Sequence, residues 1–304
     1  MSDGRYTRRD FFHRAAVVGA VAFGGSAVLS ACTATGGGGG EGGEGGTLAA
    51  AREAGTIRIG IANEAPYGFT APDGTVTGQS VEVGRAVLQT LGIGQVQAEP
   101  VDFGSLIPAL NARQFDLVTA GMFINPERCA NAAFSIPDYT APTAFLVPRG
   151  NPQGVATFDD IRTKKLRLAV LSGAVEQGYA TDSGVPEGQI QVLDAQNSLL
   201  QAVTAGRADA AALTNISLND VVAKNPGAPV EVTPGFFPVI DGEETISAGA
   251  FVFRPGEDEF RTAFDTELRR LHESGRWLEL ARPFGFTEEN LPGPDVTTER
   301  LCAA

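Results

Sequence analysis

From Thr47 onward, apolar residues recur in two rhythms that take turns along the chain. Thr56–Ala62 (TIRIGIA) alternates over a short span and predicts a strand, as does Val96–Val101. Between them, Ser80–Leu91 (SVEVGRAVLQTL) carries apolar residues at helical spacing, and Gly92 stands where a helix stops. Gly104–Ala112 predicts a second helix. Phe115–Gly121 (FDLVTAG) is an apolar run suited to a buried parallel strand. The alternation restarts after Arg149-Gly150-Asn151-Pro152. Leu166–Leu171, Gln191–Leu193 and Ala208–Leu213 read as strands, with a helix over Asn197–Ala205 that Asn197 would cap. Ile246–Phe253 then predicts another strand, and Phe260–Leu271 and Trp277–Ala281 predict closing helices.

Strands alternating with helices are the grammar of an open α/β sheet. Two such rounds imply two α/β units, the second inserted into the first. The expected boundaries are 48–147 with 248–304 for the first lobe and 148–247 for the second. Thr143–Val147 and Ala248–Val252 would cross between them. Two crossings make a hinge, and hinged lobes make a cleft that can close. Ligands of open α/β sheets sit beyond the C-terminal strand ends.

Those ends carry the candidate chemistry. Glu64 and Tyr67 follow the first strand, Phe103 the second, and Phe123 with Asn125-Pro126-Glu127-Arg128 the third. Ser172-Gly173-Ala174-Val175 and Thr214-Asn215 follow two strands of the second round. Asn125 caps and Pro126 suits the first helical position, which puts Arg128 in a first turn where a carboxylate would meet free N–H groups and a guanidinium fork. Taken alone, Arg128 also reads as a solvated arginine, each ring as a core residue and Glu64 as a surface acid. Together the three rings describe an aromatic box for a delocalised cation, worth roughly 0.5–2 kcal/mol per ring, with Glu64 accepting its N–H groups. The combination describes a pocket for a zwitterion.

Composition and charge narrow the field. The 304-residue chain has formal net charge −13, and Arg5, Arg8, Arg9 and Arg14 all lie near its start. No basic footprint for nucleic acid remains. Two histidines, His13 and His272, are too few for a Cys/His zinc cluster and make a histidine triad hard to build. Neither metal nor cofactor is expected.

The first residues read as an address. Thr7-Arg8-Arg9-Asp10-Phe11-Phe12 resembles a twin-arginine export signal. The apolar stretch Ala15–Leu29 follows, too short and weak for a stable membrane span. Leu29-Ser30-Ala31-Cys32 looks like a lipobox, which implies lipidation at Cys32. Gly36–Gly46 holds nine glycines and two glutamates, a flexible tether spanning about 20 Å. Residues 1–32 are therefore expected to be a lipoprotein signal and 33–47 a linker. The body would hang at the outer face of the cytoplasmic membrane.

The body resembles solute-binding proteins of ABC importers, in the amino-acid-binding branch with the two-lobed type II periplasmic fold. Ala120-Gly121-Met122 with Pro126-Glu127-Arg128 looks like that branch's signature, in which the arginine grips the ligand carboxylate. Glu273-Ser274-Gly275-Arg276-Trp277 looks like its closing helix. More narrowly, the chain resembles the ectoine/hydroxyectoine-binding proteins, through Ile61-Ala62-Asn63-Glu64, Pro126-Glu127-Arg128-Cys129-Ala130, Ser217-Leu218-Asn219-Asp220 and Thr297-Thr298-Glu299-Arg300-Leu301-Cys302-Ala303-Ala304. The resemblance implies that Glu64, Tyr67, Phe103, Phe123 and Arg128 surround ring amidinium and carboxylate. General amino-acid binders of this type carry an aspartate for the α-amino group five residues beyond the position of Asp209. Thr214 stands there instead, which suits a guest without an α-ammonium. The subfamily's threonine in the second-lobe turn is replaced by Val175, which leaves backbone N–H groups and Ser172 to make contacts.

The resemblance implies a monomeric receptor for a small zwitterionic solute, with permease and ATPase subunits as partners. A polar or cationic amino acid is the alternative ligand. A cyclohexadienyl dehydratase-like lyase needs a positioned general acid; Glu64 could serve, but no second acid is evident. A sensor ectodomain or adhesin would require fused segments that the pattern does not show. Cys129 and Cys302 remain as an even pair in an oxidising compartment, either bridged or left as two buried thiols. The bridge is the expectation, and closing so long a loop would contribute roughly 4–5 kcal/mol.

Overall fold

The computed structural model describes residues 46–303 apart from Asp241. The expected export signal, Cys32 and nearly all of the expected tether lie outside the described residues. Gly46 and Thr47, expected in the tether, open a helix, Gly46–Ala54, that buries Leu48 and Ala51.

The described residues form two main sheets. The first runs Gln95–Pro100, Thr56–Ile61, Leu117–Phe123, Ala248–Phe253, Ala133–Phe134, with Tyr139–Thr140 also on the Ala248–Phe253 strand. Its first three strands are parallel, Ala248–Phe253 runs antiparallel to them, and Ala133–Phe134 and Tyr139–Thr140, each antiparallel to Ala248–Phe253, run in the direction of the first three. The second runs Ile190–Leu193, Leu168–Leu171, Ala210–Thr214, Thr143–Pro148, Val230–Val232, again with three parallel strands first, then Thr143–Pro148 antiparallel to them and Val230–Val232 antiparallel to Thr143–Pro148. Helices flank both sheets, so central strands are buried on both faces. Leu168–Leu171 and Ala210–Thr214 are buried at every position, as a parallel core strand requires.

The helices follow the same logic. Gln79–Thr90 buries Val83, Val87 and Leu88, and Gly92 ends it with φ +86° while Ile93 N–H reaches back to Leu88 O at 2.9 Å. Asp258–Glu273 buries Phe260, Phe264 and Leu268, one residue per turn. Four further helices were not expected: Phe158–Thr163, Val175–Asp182, Asn215–Lys224 and Thr298–Ala303. The helix over Asn197–Ala205 begins one residue earlier, at Gln196, with Ala195 rather than Asn197 at its cap.

The pairing also moves the boundary between the lobes. Thr143–Pro148 pairs only with Ala210–Thr214 and Val230–Val232, so it belongs to the second sheet rather than crossing from the first. Ala248–Phe253 pairs only within the first sheet. The crossings are therefore Ala141-Pro142 and Thr245-Ile246-Ser247. An apolar run such as TAFLVP suits either sheet, and only its partners decide. The crossings lie side by side, Ala141 N–H donating to Ser247 O at 3.2 Å.

Cys129 and Cys302 are joined in a disulfide, their Cα atoms 5.6 Å apart across 173 residues of sequence. The bond ties the helix Thr298–Ala303 to the turn that carries Arg128. No described helix is long and apolar enough to cross a membrane.

Candidate functional site

The parallel strands of both sheets point their C-terminal ends at one another, and the loops that follow those ends meet there. Glu64, Tyr67, Phe103, Phe123, Arg128, Val175 and Thr214 line a single small cavity with Gly121, Ala174, Glu176 and Leu213. Seven of the nine expected ligand-binding residues thus converge. Ser172 and Asn215 do not line it. Ser172 N–H is spent on Leu193 O, and Asn215 packs against Gly235 at the first helical position after Thr214.

Local structure sets each group. After the strand Thr56–Ile61 the chain folds back so that Tyr67 and Gly68 N–H both donate to Glu64 O. Tyr67 is thereby laid flat on Tyr139, centroids 5.3 Å apart at 23°, with the edge of Phe286 behind both. Gly121 makes room for this stack. Its φ is +63°, and a Cβ there would stand 2.5 Å from the Tyr67 ring. Phe123 tilts against Tyr139 at 5.9 Å. Tyr139 and Phe286, which the sequence reading did not single out, are thus the backing of the aromatic box.

Asn125 caps as expected, its side chain accepting from Arg128 N–H at 2.9 Å. The helix it starts is a single turn, Pro126–Cys129. So few peptide dipoles give little field, and the Arg128 N–H is already engaged. The charge at this end is the guanidinium itself. One terminal nitrogen donates to Phe123 O at 2.5 Å and the other to Gly173 O at 2.7 Å, while the plane sits 5.4 Å from the Phe103 centroid. Each terminal nitrogen retains a second N–H for an oxygen acceptor. Phe103 therefore packs on the guanidinium as well as walling the cavity.

The lobes touch here. Tyr67 and Thr214 hydroxyls are 2.7 Å apart, Ser217 Oγ donates to Glu64 Oε1 at 3.0 Å, and Gln196 Nε2 donates to Ala65 O at 2.6 Å. Gly104 meets Gly173 backbone to backbone, with an added Cβ on Gly173 falling 2.6 Å from Gly104 Cα. The remaining cavity is about 20 Å³, room for one water and for no solute of amino-acid size. A broader groove of about 1410 Å³ opens beside it and shares Phe103, Arg128, Ala174 and Val175 as lining. A guest thus enters only when the lobes part. Replacing Tyr67 by Phe keeps the ring and deletes the hydroxyl pair. Loss of one such bond, about 1 kcal/mol, is expected to weaken solute binding roughly fivefold in titration calorimetry. Unchanged affinity would separate this bond from closure.

Glu176 is the main residue that the sequence reading missed. It is 1% exposed, at the second position of Val175–Asp182, and accepts from Thr143 Oγ1 at 3.4 Å. Burial pushes its carboxyl up to about 7, against the pull of Arg128. Burial pushes Glu64 up to about 8, with Glu176 adding repulsion while Ser217 and Arg128 oppose it. The expectation that no second acid stands near Glu64 is therefore corrected. An acid in a first helical turn reads in sequence as a solvated dipole partner; only the meeting of the lobes buries it. Among the described residues, no group of three or more His, Cys, Asp or Glu could hold a metal ion.

Known proteins resemble the chain along most of its described length. A probable amino-acid ABC transporter periplasmic-binding protein of Sinorhizobium fredii is 35% identical over 260 residues, 84% of this chain and 86% of the relative. The L-arginine-binding protein of Pseudomonas aeruginosa is 26% identical over 229 residues, 74% of this chain and 85% of the relative. Among solved structures, EhuB in complex with hydroxyectoine matches with a TM-score of 0.77 at 35% identity, covering 85% of this chain and 98% of its own. An ancestral amino acid-binding protein, described as a precursor of cyclohexadienyl dehydratase, matches at 0.69 and 27% identity over 78% of this chain and 99% of its own. The two-lobed architecture is that of type II periplasmic binding proteins. The family model of bacterial extracellular solute-binding proteins, family 3, matches residues 57–287, and the chain belongs to that family.

Proposed function

We propose that the chain is the extracytoplasmic receptor of an ABC importer and closes around ectoine, hydroxyectoine or a similar zwitterionic compatible solute. The observation that carries this reading is the convergence of Glu64, Tyr67, Phe103, Phe123 and Arg128 on one interlobe cavity. The 35% identity to EhuB, solved with hydroxyectoine, supports it. Arg128 takes the guest carboxylate with the N–H groups it keeps free. The rings enclose a flat cation, and Glu64 accepts from its N–H groups. Closure is stabilised because the guest touches both lobes at once and only in that arrangement. The closed receptor delivers its solute to permease and ATPase subunits. It works as a monomer held to the membrane through lipid on Cys32, and its surface carries no chemistry on the solute.

A polar or cationic amino acid is the second reading, favoured by two buried carboxylates facing one guanidinium and by the arginine-binding relative. A thermal-shift panel of ectoine, hydroxyectoine, proline, glycine betaine, arginine and glutamate separates the two. Ectoine or hydroxyectoine is expected to raise apparent stability by about 2.7 kcal/mol at a hundredfold excess over its dissociation constant. Glycine betaine should do less, because its quaternary nitrogen has no N–H for Glu64. A shift with arginine alone would replace the ectoine reading with the amino-acid one. Solute recovered unaltered after long incubation is expected of a receptor; a converted solute would point to the lyase instead.

A further inference from the structure

Glu176 is the one titratable group lining the inner cavity that the proposed function leaves without a task. It comes from the second lobe, whereas Glu64 and Arg128 come from the first. On its own helix the nearest titratable neighbour is Tyr179. From the first lobe it is faced by Arg128, Glu64 and Tyr67, and Glu127 acts on the same guanidinium. The closed cleft therefore contains two carboxylates and one guanidinium, all of them buried.

With the lobes apart, water solvates both carboxylates and both ionise. Closure around a zwitterion changes the balance. The guest's carboxylate pairs with Arg128 and its cation with one of the two acids. The other acid is left as an unpaired charge out of water, a state that proteins avoid by taking up a proton. A guest carrying one carboxylate and two cationic groups leaves neither acid unpaired. We propose that Glu176 makes the cleft discriminate by the guest's net charge: a zwitterion is enclosed with one proton shared between Glu64 and Glu176, and a singly cationic guest is enclosed without one. The proton belongs to the pair rather than to either residue. This inference rests on the proposed placement of the guest between Arg128 and Glu64.

The sign follows from the direction of the shift. An acid with a raised value in the closed form favours closure at low pH, and that contribution fades as pH rises through the raised value. Burial raises Glu176 from 4.5 to about 7 and Glu64 from 4.5 to about 8, and the shared proton is lost across that window. Affinity for ectoine is therefore expected to weaken at least about tenfold from pH 6 to pH 8, with uptake of close to one proton per site at pH 6 in calorimetry across buffers of different ionisation enthalpy. Arginine, if bound, should show no such dependence, and Glu176→Gln should flatten the ectoine profile to within about twofold.

Ectoine, glutamine and arginine serve as the three probes. Failure of the ectoine reading alone would appear as glutamine bound with a proton while ectoine gives no heat; that result still supports charge selection. The proposal is overturned if a bound zwitterion has equal affinity at pH 6 and pH 8, if arginine shows the same pH dependence, or if Glu176→Gln retains it. A chain that binds none of the three at pH 6 removes both this inference and the function beneath it.

Discussion

Arg128→Ala is expected to abolish measurable solute binding while the chain stays folded. The guanidinium is 8% exposed and is the only cationic side chain lining the inner cavity. Removing one partner of a buried, hydrogen-bonded charge pair typically costs 3–5 kcal/mol, roughly two to four orders of magnitude in affinity. The guest carboxylate would be enclosed with nothing to receive it. Phe123 O and Gly173 O would also lose their donors. The fold should tolerate the change, because Arg128 lines the interlobe cavity and lies outside the apolar cores. Arg128→Lys separates charge from geometry. It keeps the charge but not the planar fork, so affinity should fall between the two extremes. Titration calorimetry gives the affinities, and far-ultraviolet circular dichroism with thermal melts reports on the fold. Alanine at this position with parental affinity would end the assignment of the carboxylate end.

The second large effect is expected at a residue with no polar side chain. Gly173→Ala should stop the lobes from meeting. Its φ of +73° already disfavours any other residue, by about 1–2 kcal/mol. That cost falls on open and closed forms alike and should appear as a modest loss of thermal stability. The closed form carries an added burden. The new methyl would lie 2.6 Å from Gly104 Cα and 3.3 Å from Gly104 N. Both are backbone atoms that cannot rotate aside. Overpacking of this kind costs about 1–3 kcal/mol and more where nothing can yield. Affinity should therefore drop by about 5- to 150-fold, and added solute should no longer contract the particle in small-angle X-ray scattering. Gly104→Ala is the control. Its Cβ would meet nothing nearer than Ser172 O at 3.4 Å, an ordinary contact. If Gly173→Ala contracts with solute as the parent does, the two glycines do not gate closure.

Much of this site was legible because strand ends are legible. Central α/β strands are apolar on both faces, so Leu117–Phe123 and its neighbours stand out, and whatever follows them must lie at the cleft. That rule puts Glu64, Tyr67, Phe103, Phe123 and Arg128 at the cleft from the sequence, and all five line the inner cavity. The residues that escaped it act from elsewhere. Gln196 and Ser217 sit at the starts of helices, where polar residues are ordinary, and gain meaning only by reaching the other lobe. Tyr139 supports the box from a two-residue strand too short to register as one. The helix Val175–Asp182 (VEQGYATD) has no sustained apolar stripe, so neither it nor its buried acid declared itself. Ser172 differs for the opposite reason: it is a hydroxyl in the right turn, but it does not line the inner cavity, and the turn instead offers Gly173 O to Arg128.

The two short segments joining the lobes, Ala141-Pro142 and Thr245-Ile246-Ser247, lie side by side through Ala141 N–H on Ser247 O, and the Tyr179 hydroxyl, 2.9 Å from Ser247 Oγ, anchors the second of them to a helix of the second lobe. Crossings this short leave few residues to absorb a rotation between the lobes, so the angle between the lobes is the natural outward sign that the interior is filled.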